Sequence, residues 1–175
     1  DGGGVWTNRY ACGNAWFVRN VKMVENPDEE IKGVKDFSPR TTALIDKAFS
    51  DQLGGFTPKY DSTARIELTS YSPNDLKYSS NTSSDQLAVF SEIYYEKGWN
   101  AYVDGKPTPH VRADFVLRAM KVPAGKHEIE FKFEPSSYYT GEKIALAGSL
   151  LLFIFIGGGI YLDRKKQKET VAQAA

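Results

Sequence analysis

The sequence predicts a mainly β fold, in which an antiparallel β-sandwich or jelly roll with one short helix is followed by one C-terminal transmembrane helix. Two observations predict this fold class. Short apolar or alternating stretches, separated by turn-forming residues, run through most of the chain, as is typical of antiparallel β domains. Residues 144–162 then form an apolar stretch without a charged residue, long enough for a helix to cross the hydrocarbon layer of a bilayer.

The first part of the chain predicts a linker, two strands and a helix. Residues 1–14 are rich in glycine and have no periodic pattern, so we expect a linker or the frayed end of a longer chain. Residues 16–24 are largely apolar and β-branched, which favours a strand, and residues 41–45 are a second short strand candidate. Between them, Asn26 and Pro27 precede acidic residues, which predicts a short helix because asparagine caps helices and proline fits the first turn.

The middle of the chain predicts further strands. In residues 64–71, Ile66 and Leu68 alternate with polar side chains, which indicates a strand with one buried face. The dipeptide Asp104-Gly105 is a strong signal for a two-residue hairpin turn. The other predicted strands are residues 75–80, 87–95, 99–103, 108–111, 115–122 and 127–133. Together these strands predict a β-sandwich domain at residues 15–140.

The apolar stretch at residues 144–162 also predicts an orientation. Residues 163–175 are rich in lysine and arginine, and basic residues favour the cytoplasmic side of a membrane. We therefore expect a basic cytoplasmic tail and an extracytoplasmic sandwich. A domain of this size needs a signal peptide or an earlier membrane helix to cross the bilayer, so Asp1 is not expected to be the native start. We favour the C-terminal piece of a longer membrane protein over the alternative, a removed signal peptide.

The composition excludes several classes of function. The chain has 22 basic and 22 acidic residues, which supply no excess of positive charge for nucleic acid. The single cysteine, Cys12, cannot form an internal disulfide, and the two histidines give no zinc-binding spacing. The sequence contains neither a nucleophile elbow nor a phosphate-binding glycine loop ahead of a helix. We therefore expect no metal site, no cofactor and no nucleic-acid partner.

Aromatic residues cluster around the predicted hairpin and define a candidate saccharide-binding site. Flat apolar rings with polar edges suit pyranose sugars, and arginines grip carboxylate or phosphate groups through paired N–H donors. The candidate residues are Tyr94, Tyr95, Trp99, Tyr102, Asp104, Arg112 and Arg118. The spacing leaves an alternative open, in which the rings fill the sandwich core and the two arginines pair with Glu92 or Asp114 across the sheet.

Two longer segments resemble one protein family. Residues 91–148 contain, in order, Tyr-Tyr, Gly-Trp, Tyr-Val-Asp-Gly, Arg-Ala, Leu-Arg and Val-Pro-Ala-Gly. This combination resembles the C-terminal signature of the bacterial YfhO-family membrane proteins. Residues 13–31 resemble the start of the same extracytoplasmic region. The sequence departs from the family pattern at Lys97, which lengthens the turn before Trp99.

The resemblance implies a large polytopic protein similar to GT-C glycosyltransferases, with many membrane helices before a β-rich extracytoplasmic domain and a last helix. Such enzymes move a sugar from a polyprenyl-phosphate donor to an acceptor outside the cytoplasm. The family pattern places its catalytic acid upstream of Asp1, so the resemblance assigns no catalytic residue to this chain.

The resemblance also implies partners and a location. The implied partners are the lipid bilayer, upstream transmembrane helices of the same parent chain, and a cell-surface glycan or polyprenyl-linked sugar. The implied location is the bacterial cytoplasmic membrane, with the β domain outside and the C-terminus in the cytoplasm. The alternative is a single-pass, membrane-anchored carbohydrate-binding or structural β-sandwich protein without catalysis.

Overall fold

The computed structural model describes residues 8–173. Residues 1–7 of the predicted linker and residues 174–175 of the predicted tail lie outside the described residues. The chain divides into two compact units, the first ending at Glu134 and the second beginning at Pro135. The strands of the described chain belong to the first unit, and the second unit contains one long helix.

The regular elements are short, apart from the last helix. In chain order, the strands of the described residues are β1 (Ala15–Val18), β2 (Asn20–Val24), β3 (Thr42–Asp46), β4 (Arg65–Ser72), β5 (Asp75–Thr82), β6 (Gln86–Ile93), β7 (Trp99–Val103), β8 (Lys106–Pro107), β9 (Val111–Ala113), β10 (Leu117–Val122) and β11 (Gly125–Phe133). The helices are α1 (Pro27–Gly33), α2 (Ser50–Leu53) and α3 (Ser136–Gln173), with 3-10 turns at Val34–Asp36 and Lys47–Phe49.

Two antiparallel sheets form a sandwich. The 4-stranded sheet has the order β1-β6-β10-β9, and the 5-stranded sheet has the order β4-β5-β11-β7-β8. Neighbouring strands within each of these sheets pair antiparallel. Apolar side chains of both sheets share one core between them. The predicted fold class, a mainly β antiparallel protein with a long apolar C-terminal helix, is confirmed.

The predicted first strand, residues 16–24, is two strands in the structure. Arg19 separates β1 from β2, and the backbone N–H groups of Arg19 and Asn20 both donate to the carbonyl oxygen of Thr41. β1 pairs with β6, whereas β2 pairs in parallel with β3 in a separate 2-stranded sheet. The chain therefore changes its pairing partner at Arg19, which the composition of residues 16–24 does not reveal.

Aromatic rings fill the space between the two large sheets. Tyr78 and Phe131 of the 5-stranded sheet and Phe90 of the 4-stranded sheet are fully buried. The ring centroid of Phe90 lies 4.9 Å from that of Tyr78 and 4.8 Å from that of Phe131, with both pairs edge to face. This arrangement matches the preference of ring quadrupoles, so the three rings form a well-packed centre of the core.

The 4-stranded sheet is buried on both faces. Its second face packs Leu87 and Val89 of β6 against Ala43 and Ile45 of β3. Residues 87–90 are therefore all fully buried. A strand segment that is covered on both faces has no solvent-exposed side, which explains why residues 87–90 of β6 are all apolar rather than alternating.

The short helices begin and end at residues with suitable local chemistry. At the start of α1, the side chain of Asn26 accepts a hydrogen bond from the backbone N–H of Glu29 at 3.0 Å, and Pro27 lies in the first turn. The helix α2 ends at Gly54, whose φ of 58° is a left-handed conformation. The sequence predicted a single short helix, so α2 and the 3-10 turns are additional elements.

The helix α3 contains a candidate membrane span at Ser136–Leu162, whose most apolar window has a mean hydropathy of 2.1. That window is 0% buried within the described part of the chain, and Phe155, for example, is 74% exposed. The hydroxyl of Ser149 donates to the carbonyl oxygen of Ala145 at 2.8 Å, so this polar group is satisfied inside the helix. These properties suit a helix surrounded by lipid.

Candidate functional site

Trp99 and Arg118, two of the predicted site residues, contact each other in the sandwich core. Arg118 is 2% exposed, and its guanidinium carbon lies 4.1 Å from the centroid of the Trp99 ring and 5.2 Å from that of Phe131. Its Nε donates to the carbonyl oxygen of Ile93 at 2.9 Å. Burial lowers the pKa of Arg118, while the ring faces stabilise its cationic form. These contacts give Arg118 a structural position in the core, where the Trp99 ring covers its guanidinium group.

Tyr94 and Tyr95 have different surroundings. The ring of Tyr94 is half-buried and lies 5.7 Å from that of Phe49 and 5.4 Å from that of His110. Burial raises the pKa of the Tyr94 hydroxyl. Tyr95 is 52% exposed, and its ring centroid lies 6.5 Å from that of Phe133. Tyr95 offers ring surface to a ligand, whereas Tyr94 belongs to a packed aromatic group.

Tyr102 lies on the opposite face of β7 from Trp99, because side chains alternate along a strand. Its hydroxyl donates to Oε2 of Glu134 at 2.8 Å, and this bond raises the pKa of the Tyr102 hydroxyl. Asp104 lies at the following hairpin turn, where its Oδ2 is 2.6 Å from Nδ1 of His127. Trp99, Tyr102 and Asp104 therefore have separate surroundings.

Arg112 belongs to a buried ion network. Its Nη2 lies 2.9 Å from Oε2 of Glu30 and 3.5 Å from Oδ2 of Asp46. Glu30 is fully buried and Asp46 is 5% exposed. The ionic partners of Arg112 are thus distant in the sequence, and they are neither Glu92 nor Asp114. The predicted saccharide residues do not all converge on one surface. Arg112 is paired with the buried carboxylates of Glu30 and Asp46, and Arg118 lies beneath the Trp99 ring.

A groove of about 350 Å³ lies at one edge of the sandwich. β1 and β4 are the edge strands of the two large sheets, and residues of both strands line the groove. The charged residues in its lining are Arg19, Arg40, Asp61 and Arg65, and the lining aromatic residues that carry a polar group are Trp16 and Tyr60. A concave surface of this volume, with several convergent polar groups, is typical of small-molecule sites.

The three arginines of the groove are held without carboxylate partners. Nη2 of Arg40 donates to two backbone carbonyl oxygens, each at 3.1 Å, and Nη1 of Arg65 donates to two others, at 3.2 and 2.8 Å. The guanidinium carbon of Arg19 lies 3.8 Å from the centroid of the Tyr60 ring. Among the described residues, none of these three arginines forms a salt bridge, so their positive charges are not neutralised.

Asp61, the acidic residue of the groove lining, is engaged by other donors. Its Oδ1 accepts the backbone N–H and the hydroxyl of Thr63 at 2.8 and 2.6 Å, and its Oδ2 accepts the same groups of Ser83 at 2.6 and 2.7 Å. These bonds, with the one from the Thr63 hydroxyl foremost, hold the pKa of Asp61 well below its usual range. The Asp61 carboxylate organises the loop at residues 61–63.

Sequence reasoning did not select the groove residues. Arg19, Arg40 and Arg65 are far apart in the chain and belong to no motif. Arg19 follows β1 and Arg65 begins β4, and these strands occupy the same edge of the sandwich. Arg40 follows Pro39, whose carbonyl oxygen accepts the indole N–H of Trp16 in β1, and spacing within one segment shows neither relationship. Across residues 8–173, the structure contains no group of His, Cys, Asp or Glu side chains that could hold a metal ion.

The sandwich and the apolar helix define a membrane protein with a folded β domain. Residues 56–145 match the family described as "Bacterial membrane protein YfhO", and the chain therefore belongs to the YfhO family. The "Uncharacterized protein YfhO" of Bacillus subtilis (strain 168) is 32% identical over 104 residues, which are 59% of this chain and 11% of that protein. The chain thus spans about a tenth of that relative's length. No solved structure matches the chain.

Proposed function

We propose that the sandwich is the C-terminal extracytoplasmic accessory domain of a longer, polytopic YfhO-like protein, and that the apolar part of α3 is its last membrane helix. The order of elements carries this proposal. The chain leaves β11 at Phe133 and enters α3 at Ser136, so a folded β domain is joined to a candidate membrane span with only two residues between them. Basic residues follow the span in residues 163–175, which favours a cytoplasmic C-terminus in a bacterial cytoplasmic membrane.

The proposed parent transfers sugars from a polyprenyl-phosphate donor to a cell-surface acceptor, as the resemblance to GT-C glycosyltransferases implies. Within that parent, the sandwich binds the acceptor and takes no part in bond breaking. Two surfaces support a binding role, the groove between β1 and β4 and the exposed ring of Tyr95. The catalytic residues then belong to the part of the parent upstream of this chain.

Sidedness is tested by cysteine labelling in the full-length parent, in a cysteine-free background. Ser79 lies exposed on the outer face of the 5-stranded sheet, and Thr170 lies in the basic tail. We expect a membrane-impermeant maleimide to label the Ser79→Cys variant in intact spheroplasts. We expect the Thr170→Cys variant to be labelled only after permeabilisation. The reverse pattern would place the sandwich in the cytoplasm and overturn the proposal.

Transfer is tested with membranes of cells that carry the intact parent or a parent without residues 15–133. We expect the intact parent to move labelled sugar from a polyprenyl-phosphate donor to a cell-surface acceptor. We expect the deletion variant, present at an equal level in the membrane, to lose transfer to the acceptor. No transfer by the intact parent would contradict the transferase role, and unchanged transfer by the deletion variant would contradict the acceptor-binding role.

A second candidate function is a single-pass carbohydrate-binding protein without catalysis. The exposed Tyr95 ring, with Phe133 and Trp99 beside it, favours this candidate, since Phe133 lies 5.4 Å from Trp99 between ring centroids. An immunoblot of source membranes, with an antibody to residues 60–135, separates the two candidates. A species several times larger than this 175-residue chain supports the polytopic parent, and a species of the chain's own size supports the second candidate.

A further inference from the structure

We propose that the groove between β1 and β4 binds a phosphate ester, with Arg19, Arg40 and Arg65 as the residues that hold the phosphate group. Nothing in this inference requires that the parent be a transferase. It rests on the charge of the groove, the free donors of its arginines and the rings beside them.

The charge of the groove favours an anion. Its lining contains three arginines and one acidic residue, Asp61, which leaves a net charge of 3 − 1 = +2. The carboxylate of Asp61 already accepts four hydrogen bonds from Thr63 and Ser83, so it does not neutralise the arginines by direct pairing. The chain as a whole has equal numbers of basic and acidic residues, so this local excess is a property of the groove.

The arginines keep donors available for a ligand. A guanidinium group carries five N–H donors in a planar fork that matches the oxygens of a phosphate group. Within the described residues, Arg40 uses only Nη2 and Arg65 uses only Nη1 for hydrogen bonds, and all four of these bonds go to backbone carbonyls. Among residues 8–173, Arg19 has no side-chain hydrogen-bond partner, and its guanidinium group lies against the face of Tyr60. These contacts orient the three groups and leave donors unused.

Rings at the same groove suit the organic part of an ester. Tyr60 is 62% exposed, and Trp16 is half-buried with its indole N–H donating to the carbonyl oxygen of Pro39 at 2.7 Å. This bond holds the Trp16 ring in place at the groove. Flat apolar rings beside charged donors suit a phosphate that is carried on a sugar or another polyol.

The test is calorimetric titration of the full chain, in nanodiscs of phosphatidylcholine at low ionic strength, with inorganic pyrophosphate and with glucose 1-phosphate. We expect both probes to bind, and neutral glucose to bind at least tenfold more weakly, because the charge-assisted bonds are lost. We expect the Arg19→Gln variant to weaken binding by about tenfold. Absence of binding by both phosphate probes would overturn the inference.

A matched control separates the groove from the overall charge of the protein. The triple variant R19Q/R40Q/R65Q and the triple variant K22Q/K106Q/K126Q remove equal charge, and the three lysines are exposed and outside the groove lining. We expect only the arginine variant to abolish binding. Equal weakening by both triple variants would overturn the site. Arg40 and Arg65 hydrogen-bond to the backbone, so the triple variant could unfold. Arg19→Gln then decides the test, because the contact of the Arg19 side chain within the described part of the chain is with the Tyr60 ring.

The phosphate could belong to a lipid headgroup or to a soluble ester, and the same titration distinguishes these sources. In nanodiscs with phosphatidylglycerol, a headgroup that occupies the groove would compete with pyrophosphate and weaken its binding to the native chain and to the lysine variant, since both keep the same groove. Pyrophosphate binding as strong as in phosphatidylcholine nanodiscs would assign the groove to a soluble phosphate ester. Both results support the phosphate site, and neither depends on sugar transfer by the parent.

Discussion

The imidazole ring of His127 lies between two hydrogen-bond acceptors, one of which is Asp104. Nδ1 of His127 is 2.6 Å from Oδ2 of Asp104, and Nε2 is 3.0 Å from the carbonyl oxygen of Ala124. A neutral imidazole carries one N–H, so only the imidazolium form donates to both acceptors. The hydrogen bond with Asp104 raises the pKa of His127 and lowers that of Asp104. This pair links the turn at residues 104–105 to the turn at residues 124–125.

The pair predicts that the sandwich loses stability as the pH rises through the native pKa of His127. A raised native pKa stabilises the fold fully below the unfolded value of about 6.5, and this contribution disappears above the native value. The lowered pKa of Asp104 affects stability in the acidic range, because its stabilising contribution is lost as the pH falls through the native pKa of Asp104. Urea unfolding of the full chain in detergent, between about pH 6 and pH 9, measures the effect.

The Asp104→Asn variant is the control for this pH dependence. Asp104 has a φ of 50°, which asparagine tolerates, and its Oδ1 accepts the backbone N–H of Glu128 at 2.9 Å, which an amide oxygen also does. The variant therefore keeps the turn and removes the charge beside His127. We expect its free energy of unfolding to vary less with pH in this range. An unchanged pH dependence would mean that the His127 pair does not cause it.

Asp114 predicts a second, separate pH dependence in the acidic range. Burial, with a smaller contribution from the Glu30 charge, raises the pKa of Asp114 from 3.8 to about 6. The native state then holds a proton that the unfolded chain releases at lower pH, so stability is highest below the unfolded value and falls as the pH rises to the native value. The expected loss between about pH 4 and pH 7 is about 3 kcal/mol. Urea unfolding at a series of pH values checks it.

The Asp114→Asn variant should remove this loss. Oδ1 of Asp114 accepts the backbone N–H of Leu44 at 2.8 Å, and Oδ2 has no hydrogen-bond partner among the described residues. Asparagine keeps the first bond and fits the φ of 51° at this position. We expect the variant to be at least as stable as the native chain at pH 7. A less stable variant with the native pH dependence would contradict the assignment to Asp114.

The buried pair of Glu30 and Arg112 predicts a large effect from removing one partner. Oε2 of Glu30 accepts a hydrogen bond from Nη2 of Arg112 at 2.9 Å, and Oε1 accepts one from the backbone N–H of Phe115 at 2.9 Å. Phe115 has a φ of 71°, which is strained for an aromatic residue. The Glu30→Ala variant leaves the part-buried cation of Arg112 short of one partner and releases this strained backbone, so we expect a loss of about 3 kcal/mol.

A matched comparison separates the buried pair from exposed charge. The Glu29→Ala variant changes the neighbouring, exposed residue of α1 and loses the hydrogen bond that the Glu29 carboxylate accepts from the backbone N–H of Glu25 at 3.1 Å. We expect its loss to stay below about 1 kcal/mol in the same urea titration. Equal losses for the two variants would show that the network around Arg112 adds little stability.

Local patterns predicted most of the fold because they record burial. The alternation of Ile66 and Leu68 in β4 and the continuous apolar run of β6 follow from one or two covered faces. The cap at Asn26 is likewise a short-range interaction. The switch of partner at Arg19 was not predicted, because it depends on a hydrogen bond to Thr41 in another part of the chain.

The site residues were harder to predict because their roles depend on contacts between distant segments. The sequence shows an aromatic cluster around Trp99, but it does not show that the ring of Trp99 covers Arg118 inside the sandwich. Arg112 reaches Glu30 across 82 positions. The groove arginines come from three separate segments and share no spacing. Contacts of this kind follow from strand order, which single-segment patterns do not specify.

The contact between Trp99 and Arg118 predicts that Trp99 is needed for folding, whereas Tyr95 is not. Trp99 packs against the core between the sheets and covers a cation that is 2% exposed. The Trp99→Ala variant leaves a cavity beside that cation, so we expect a loss of about 3 kcal/mol in the free energy of unfolding. The Tyr95→Ala variant changes a ring that is 52% exposed, and we expect a change within about 0.5 kcal/mol.

The two variants also test whether the exposed ring binds saccharide. We compare the retention of the Tyr95→Ala variant and the native chain on immobilised cell-surface glycan. Weaker retention of the variant would assign binding to the Tyr95 ring, because the stability of the variant is expected to be unchanged. A Trp99→Phe variant keeps an aromatic face over Arg118, so we expect a smaller loss of stability than for Trp99→Ala. If Trp99→Ala were as stable as the native chain and lost only glycan retention, Trp99 would be a binding residue rather than a core residue.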